Sequence, residues 1–230
     1  MTQHLLSMIR WHGDRAEATT IALDNLVIAG WTGRDRKAID HHIEELAALG
    51  IPGPNTIPCF YRAAVDNLST ATDVQVLGQD SSGEVEFVVF SLPDGLWVGL
   101  GSDHTDRKVE AYSVPVSKQL CVKPVAPQLW RVEDVADHWD KLELRSWITE
   151  GGKRVLYQQG AVAAMREPVD LFHHYIQSKS LPPGTAMFGG TFAVIGGLRP
   201  ANDFHMALHD PVRGRTIEHS YKITTLPVVP

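Results

Sequence analysis

The stretch Gly83-Glu84-Val85-Glu86-Phe87-Val88-Val89-Phe90 predicts a β-strand that carries two acidic side chains on one face. It is rich in β-branched and aromatic residues, and turn-forming residues precede and follow it. Because side chains alternate along a strand, Glu84 and Glu86 share one largely apolar face. Neighbouring carboxylates on such a face repel each other unless one is protonated or a cation lies between them. Either a divalent metal binds there, or both glutamates lie at a solvated strand end without a role.

The composition narrows the class of protein. The chain has 230 residues, 43% of them hydrophobic and 21% charged, which is typical of globular proteins. A net charge of -6 and the lack of a basic run argue against nucleic-acid binding. No apolar run approaches membrane-spanning length, so we predict a cytoplasmic protein with no membrane partner. Its two cysteines, Cys59 and Cys121, have neither the number nor the spacing of a disulfide framework or zinc knuckle.

Strand-like segments dominate the chain, without a regular alternation of strand and helix. Asp24-Asn25 predicts the turn of an N-terminal hairpin, and residues 96–101 predict the strand that pairs with the acidic strand. Helical spacing predicts helices over about residues 35–49, 130–150 and 168–176. This pattern favours an α+β fold with a β-rich mixed sheet or barrel and a few peripheral helices, not a Rossmann or TIM fold.

The first predicted helix contains the acidic and histidine-rich segment Asp40-His41-His42-Ile43-Glu44-Glu45. His42 falls on the apolar face of this helix, and Glu45 lies at the edge of that face, within side-chain reach. Two interpretations remain open at this point. His42 is a core histidine with satisfied hydrogen bonds, or it forms a His–Glu pair that covers a site and handles a water molecule.

Polar residues after the next strands could complete a site. Asp103 leaves a predicted strand end four residues before Arg107, an arrangement that suits a metal ligand followed by an anion-binding arginine, or a solvated turn. Lys118 and Lys123 lie in an otherwise apolar segment, where either could neutralise substrate charge or simply reach solvent. The turn Gly189-Gly190-Thr191 permits close backbone approach to a ligand, and Thr191 could donate its hydroxyl.

Taken in this order, these segments resemble the fumarylacetoacetate hydrolase superfamily over about residues 30–225. Glu84-Val85-Glu86 is similar to its metal-binding E-x-E strand. Residues 102–107 are similar to its N-D-x-S-x-R segment, which implies Asp103 as the third carboxylate ligand and Arg107 as a substrate-facing arginine. Residues 40–46 resemble its H-x-x-E lid helix in either of two registers, His41/Glu44 or His42/Glu45. The inward face derived above favours the second register.

The resemblance continues with residues 181–191, which are similar to the stretch L-x-P-G-D-x-x-x-x-G-T-P and imply substrate contacts by Gly190 and Thr191. The family's site lysine falls at Lys123, with Lys118 as the alternative. Two departures leave the substrate open. The family's Lys-Pro-x-Ser element is replaced by Tyr61-Arg62-Ala63-Ala64, where we assign Tyr61 to substrate binding, and Phe192 replaces the final proline.

The resemblance implies one fumarylacetoacetate hydrolase-like domain over residues 1–230, with 1–55 as an N-terminal hairpin and lid-helix region, in a homodimer. It also implies a Mg²⁺ or Mn²⁺ site, and three carboxylates with water form the oxygen shell that such a hard cation prefers. The expected activity is hydrolytic C–C cleavage of a small 1,3-dicarbonyl or 2-oxo acid, such as an acylpyruvate, by His42, Glu45, Arg107 and Lys123. The alternatives are a decarboxylase or hydratase of a 2-oxo acid, and a non-catalytic small-molecule-binding protein.

Overall fold

The computed structural model describes residues 3–48 and 53–229, with the backbone alone for residues 38, 42 and 45–48. The helices are α1 Arg36–Ala48, α2 Arg107–Glu110, α3 Val114–Leu120 and α4 Pro168–Ile176. Four short 3-10 helices span Val65–Asn67, Val132–Asp134, Ala136–Lys141 and Val162–Ala164. The strands are β1 His4–His12, β2 Arg15–Leu23, β3 Asn25–Gly30, β4 Cys59–Ala63, β5 Leu68–Ser69, β6 Asp73–Leu77, β7 Ser81–Ser82, β8 Val85–Leu92, β9 Gly95–Ser102, β10 Thr105–Asp106, β11 Lys123–Pro124, β12 Gln128–Arg131, β13 Glu143–Glu150, β14 Lys153–Ala161, β15 Thr185–Phe188, β16 Asp203–Asp210 and β17 Arg215–Leu226.

Two large mixed sheets form the fold. The first has eight strands in the order β2-β1-β12-β9-β8-β15-β3-β4 and curls into a half-barrel. The second has five strands in the order β14-β13-β16-β17-β6. In the first sheet β15 runs parallel to β3 and antiparallel to β8, and in the second β17 runs parallel to β6 and antiparallel to β16. The predicted α+β fold with a β-rich mixed sheet is confirmed.

The acidic strand β8 is buried on both faces because it lies between two hydrophobic cores. Val85, Phe87 and Val89 face the second sheet, where they share a core with side chains of β13, β14, β16 and β17. Val88 and Phe90 point to the opposite face and pack against side chains of β1, β2, β3, β9 and β15. Glu86 alternates onto this second face. The interior of the curled sheet therefore surrounds one of the two glutamates.

The predicted hairpin of the acidic strand is confirmed as β8 and β9. A two-residue turn, Pro93-Asp94, pairs Leu92 with Gly95, and the same register pairs Val85 with Ser102. One step further, the Asp103 N–H donates to the Glu84 carbonyl at 3.0 Å. The turn thus sets two predicted metal ligands opposite each other at the far end of the hairpin.

The predicted hairpin turn at Asp24-Asn25 is wrong. β2 pairs with β1, whereas β3 lies between β15 and β4 at the other end of the sheet. The N–H groups of Asp24 and Asn25 both donate to the Gly184 carbonyl, at 2.7 and 3.0 Å. The local hydrogen bond of a hairpin turn is replaced by these bonds to a residue distant in sequence. The chain therefore continues to the other end of the sheet and does not reverse direction at Asp24-Asn25.

The predicted helix over residues 130–150 is also wrong. Val135 and Trp139 are buried, but the segment around them forms two short 3-10 helices. A 3-10 helix has three residues per turn, which over a short segment resembles the spacing of an α-helix. Leu144 and Ile148 belong to β13, in which buried and partly buried positions alternate from residue 143 to 148. The other two predicted helices are observed as α1 and α4.

In the described part of the chain, no helix combines the length and the apolar character needed to cross a bilayer.

Substitution of Phe87 tests whether the core between the two sheets stabilises the acidic strand β8. Its ring is fully buried and meets Trp139 edge-on, with ring centroids 5.2 Å apart. Phe87→Ala is expected to lower the free energy of unfolding by about 3–5 kcal/mol in denaturant titrations, since it leaves a cavity between the sheets. Tyr112→Ala is the control, because Tyr112 is 89% exposed. A loss in Phe87→Ala no larger than in this control would contradict the assignment.

Candidate active site

Three predicted metal ligands converge at the end of the β8–β9 hairpin. Glu84, Glu86 and Asp103 each offer a carboxylate oxygen, and these oxygens lie within 4.8 Å of one another. Glu86 and Asp103 are 2% and 0% exposed, and Glu84 is partly buried. The alternative interpretation placed both glutamates at a solvated strand end. The burial of Glu86 and the partial burial of Glu84 contradict it.

The Glu86 carboxylate is held by the turn after β15. Its Oε2 accepts the Gly190 N–H at 2.7 Å. Gly190 has a φ of +103°, and a Cβ at this position would lie 1.9 Å from the Thr32 hydroxyl oxygen. Only glycine combines this backbone conformation with so close an approach. The sequence predicted Gly190 as a substrate contact, and the structure places it directly on a candidate metal ligand.

A buried polar network holds the backbone of the hairpin end. The Ser102 hydroxyl oxygen accepts the Glu84 N–H at 3.1 Å and the Tyr221 hydroxyl at 2.9 Å. Because Tyr221 donates its one proton to Ser102, His104 donates from Nδ1 to Tyr221 at 3.0 Å and accepts the Ser81 hydroxyl at Nε2, 2.9 Å away. Burial, with Lys123 and Arg107 nearby, lowers the pKa of His104 to about 3, so this imidazole is neutral. Nothing in the sequence pattern singled out Tyr221.

Lys118 and Lys123, the two alternatives for the site lysine, both contact Asp103. The structure therefore does not choose between them. The Lys118 ammonium bonds Asp103 Oδ2 and lies 3.7 Å from Glu84 Oε2. The Lys123 ammonium lies 3.0 Å from Asp103 Oδ1 and donates to the His104 carbonyl at 2.5 Å. An isolated bridge between Gly101 and Val125 brings the Lys123 segment to the end of β9.

Arg107 lies on the Glu84 side of the cluster. Its Nη1 is 3.1 Å from Glu84 Oε1 and 2.9 Å from Glu110 Oε2, and its Nε donates to the Ser82 hydroxyl at 2.7 Å. Its Nη2 is buried and has no hydrogen-bond partner among the described residues. Arg107 therefore keeps N–H groups for a further acceptor. The sequence interpretation missed Glu110, although its spacing from Arg107 is that of a helical ion pair.

The three carboxylates do not titrate alike. Burial, together with repulsion by Asp103 and Glu84, raises the pKa of Glu86 well above its ordinary value. Burial also acts to raise the pKa of Asp103, but the ammonium groups of Lys118 and Lys123 outweigh it and lower that pKa to about 2. Asp103 is consequently ionised at neutral pH, while Glu86 binds a proton far more tightly than an exposed glutamate.

These residues fit a divalent metal ion. The three side chains supply only oxygen donors, which Mg²⁺, Mn²⁺ and Ca²⁺ prefer. A cation among them would offset the repulsion that raises the pKa of Glu86 and would take the place of its proton.

The remaining predicted site residues surround this cluster or lie outside the described side chains. The Tyr61 hydroxyl accepts a hydrogen bond from the Cys59 thiol at 3.3 Å, and the centroid of the Tyr61 ring is 6.0 Å from the Lys118 ammonium. The Thr191 hydroxyl donates to the Val85 carbonyl at 2.7 Å, so it holds the turn after β15. Substrate contacts by either residue stay predictions.

The catalytic pair predicted from the helix pattern is not described. The side chains of His42 and Glu45 lie outside the described residues, and those of the alternative register, His41 and Glu44, are exposed on α1. The role assigned to His42 and Glu45 stays a prediction.

Comparison with known proteins shows the family and the fold. A family profile with the description "Protein of unknown function (DUF2848)" matches residues 29–221. No curated protein matches the chain in sequence. A solved 2-keto-3-deoxyarabinonate dehydratase is 17% identical with a TM-score of 0.63, covering 89% of this chain and 75% of its own.

Two further solved structures contain ligands. A 2-keto-3-deoxy-D-arabinonate dehydratase with magnesium and 2,5-dioxopentanoate is 14% identical, with a TM-score of 0.62 over 89% of this chain and 74% of its own. The 4-oxalocrotonate decarboxylase from Pseudomonas putida G7, with calcium and acetate, is 15% identical, with a TM-score of 0.52 over 86% of this chain and 76% of its own. These structures have the fumarylacetoacetate hydrolase fold, so the predicted resemblance is confirmed at the level of the fold.

The pH dependence of stability tests the environment of Glu86. Because the folded chain holds this proton more tightly than the unfolded chain, Glu86 contributes stability that is full below about pH 4.5 and is lost as pH rises toward its raised folded pKa. Glu86→Gln removes this loss. In EDTA, urea unfolding should show the variant more stable than wild type near pH 8, with the difference shrinking toward pH 5.

Glu218→Gln, at an exposed position of β17, is the matched control and should show no such pH-dependent difference. Parallel stability profiles for wild type and Glu86→Gln would mean that the Glu86 carboxylate is not buried among like charges.

Proposed function

The chain belongs to the DUF2848 family and has the fumarylacetoacetate hydrolase fold, and from that premise we propose that it is a divalent-metal-dependent enzyme acting on a small 2-oxo acid. The observation that carries the proposal is the convergence of Glu84, Glu86 and Asp103 within 4.8 Å, at a buried position. Lys118 and Arg107 border the same carboxylates and supply positive charge for an anionic substrate. Mg²⁺ or Mn²⁺ is the proposed metal.

The residues divide the work as follows. A divalent ion held by the three carboxylates would supply Lewis-acid stabilisation for the negative charge that develops on the 2-oxo group. Arg107, whose Nη2 has no hydrogen-bond partner among the described residues, would donate to the substrate carboxylate. Glu84 and Glu110 keep this guanidinium charged and oriented. Burial of the cluster excludes water and strengthens these interactions.

Among the reactions open to such a site, dehydration or decarboxylation of a 2-oxo acid is our first choice. A dehydratase and a decarboxylase share this fold, and the dehydratase was solved with magnesium and an oxo acid. Both reactions begin by placing negative charge on a 2-oxo group, which this cluster suits.

Hydrolytic C–C cleavage is the second candidate. It is favoured by the H-x-x-E spacing of His42 and Glu45 in α1, since hydrolysis needs a base that activates water. In a dehydratase or decarboxylase the same pair would instead move a proton. The single domain, the homodimer and the cytoplasmic location also stay predictions.

Turnover assays on oxaloacetate, a 2-keto-3-deoxy sugar acid and an acylpyruvate, with Mg²⁺, Mn²⁺ or EDTA, test the proposal. We expect turnover of one of these oxo acids that EDTA abolishes, and an about hundredfold or larger loss of kcat/KM in Asp103→Asn, since a metal ligand is lost. Asp137→Asn removes an exposed carboxylate and should keep full activity.

Product analysis separates the two candidates. Carbon dioxide release or loss of water identifies a lyase, and a second carboxylic acid identifies hydrolysis. Binding of these acids without turnover would point to the non-catalytic alternative, and turnover that survives both EDTA and Asp103→Asn would refute the proposed metal site.

A further inference from the structure

Two lysines contact Asp103, but they are held differently. Lys123 is 0% exposed, its ammonium is shared between Asp103 and the His104 carbonyl, and its strand β11 pairs with β5. Lys118 projects from the short helix α3, and its described polar contacts are carboxylates. Lys123 is therefore anchored by the backbone, and Lys118 by the carboxylates of the cluster.

The carboxylates that hold Lys118 are two of the candidate metal ligands. Its ammonium bonds Asp103 Oδ2 and lies 3.7 Å from Glu84 Oε2. A divalent ion bound by Asp103 and Glu84 would draw on the same negative charge and would repel an ammonium at this distance strongly, since the site is buried. The flexible four-carbon stem of a lysine allows its head group to move while α3 stays in place.

The displaced ammonium needs another anionic partner. The Tyr61 ring lies nearby, with its centroid 6.0 Å from the Lys118 Nζ, and an aromatic face attracts a cation without neutralising it. A carboxylate bound beside the metal would neutralise it, and the proposed oxo acid substrates carry one.

We infer that Lys118 couples metal binding to oxo acid binding, an inference that rests on the proposed function. Its ammonium competes with the divalent ion for Asp103 and Glu84, and the substrate carboxylate accepts this ammonium when the ion is bound. Metal and oxo acid then strengthen each other's binding, and by linkage the effect is equal in both directions. Lys118 is a positioning and specificity-determining residue in this scheme.

Titration of the full chain with Mn²⁺, followed by electron paramagnetic resonance of the free ion, tests this inference with and without pyruvate. Lys118→Met should bind Mn²⁺ about tenfold or more tightly than wild type in the absence of pyruvate, because the competing charge is gone. Pyruvate should tighten Mn²⁺ binding about fivefold or more in wild type, and markedly less in the variant. Lys108→Met removes the same charge from an exposed position and should change Mn²⁺ affinity by no more than about twofold.

The outcomes separate the two proposals. Mn²⁺ binding by neither wild type nor any variant would overturn the proposed function and this inference together. Mn²⁺ binding by wild type that Lys118→Met leaves unchanged would overturn this inference alone. If circular dichroism shows that Lys118→Met is unfolded, Lys118→Gln takes its place. The wild-type titration is decisive without any variant, since an Mn²⁺ affinity that pyruvate does not change also overturns the inference.

Discussion

Three carboxylates repel one another at one end of a buried hairpin, and the surrounding residues offset this repulsion. Like charges this close, away from water, are costly unless cations or protons offset them. Asp103 is offset by two lysines and Glu84 by Arg107. Glu86 receives one backbone N–H and keeps its proton more tightly instead. This asymmetry marks Glu86 as the carboxylate that gains most from a metal ion.

The elements around the hairpin serve this charge balance. The segment that follows β9 supplies three cations, Arg107, Lys118 and Lys123. It leaves the end of β9 and folds back so that all three lie beside the carboxylates at that strand end. The second sheet adds neutral hydrogen bonds: Tyr221 of β17 bonds Ser102, and Gln158 of β14 accepts the Val85 N–H at 3.0 Å. Packing β8 between two cores thus fixes the position of Glu86 and buries its carboxylate.

The sequence was informative where short-range geometry decides the outcome. The alternation of β8 and its two-residue turn were enough to predict the hairpin that brings Glu84 and Asp103 together. The turn at Asp24-Asn25 failed because its hydrogen-bond acceptor, Gly184, lies far away in sequence. That both Lys118 and Lys123 contact Asp103 was out of reach for a related reason, since it depends on how the segment after β9 packs and not on local spacing.

Gly190 lies between the candidate metal ligand Glu86 and the segment that leads into α1. Dehydration, decarboxylation and hydrolysis can share the same stabilised charge and differ in which group handles a proton or a water. Glu86 lies on β8, and Glu84 and Asp103 flank the paired ends of β8 and β9 in the middle of the sheet. Tyr61 lies on the edge strand β4, and α1 connects β3 to β4 in sequence. Gly190 touches both regions, because its N–H bonds Glu86 and its Cα lies against Thr32, just before α1. Gly190 therefore links the carboxylate of Glu86 to the segment that leads into α1, and a side chain larger than that of glycine would disturb both contacts.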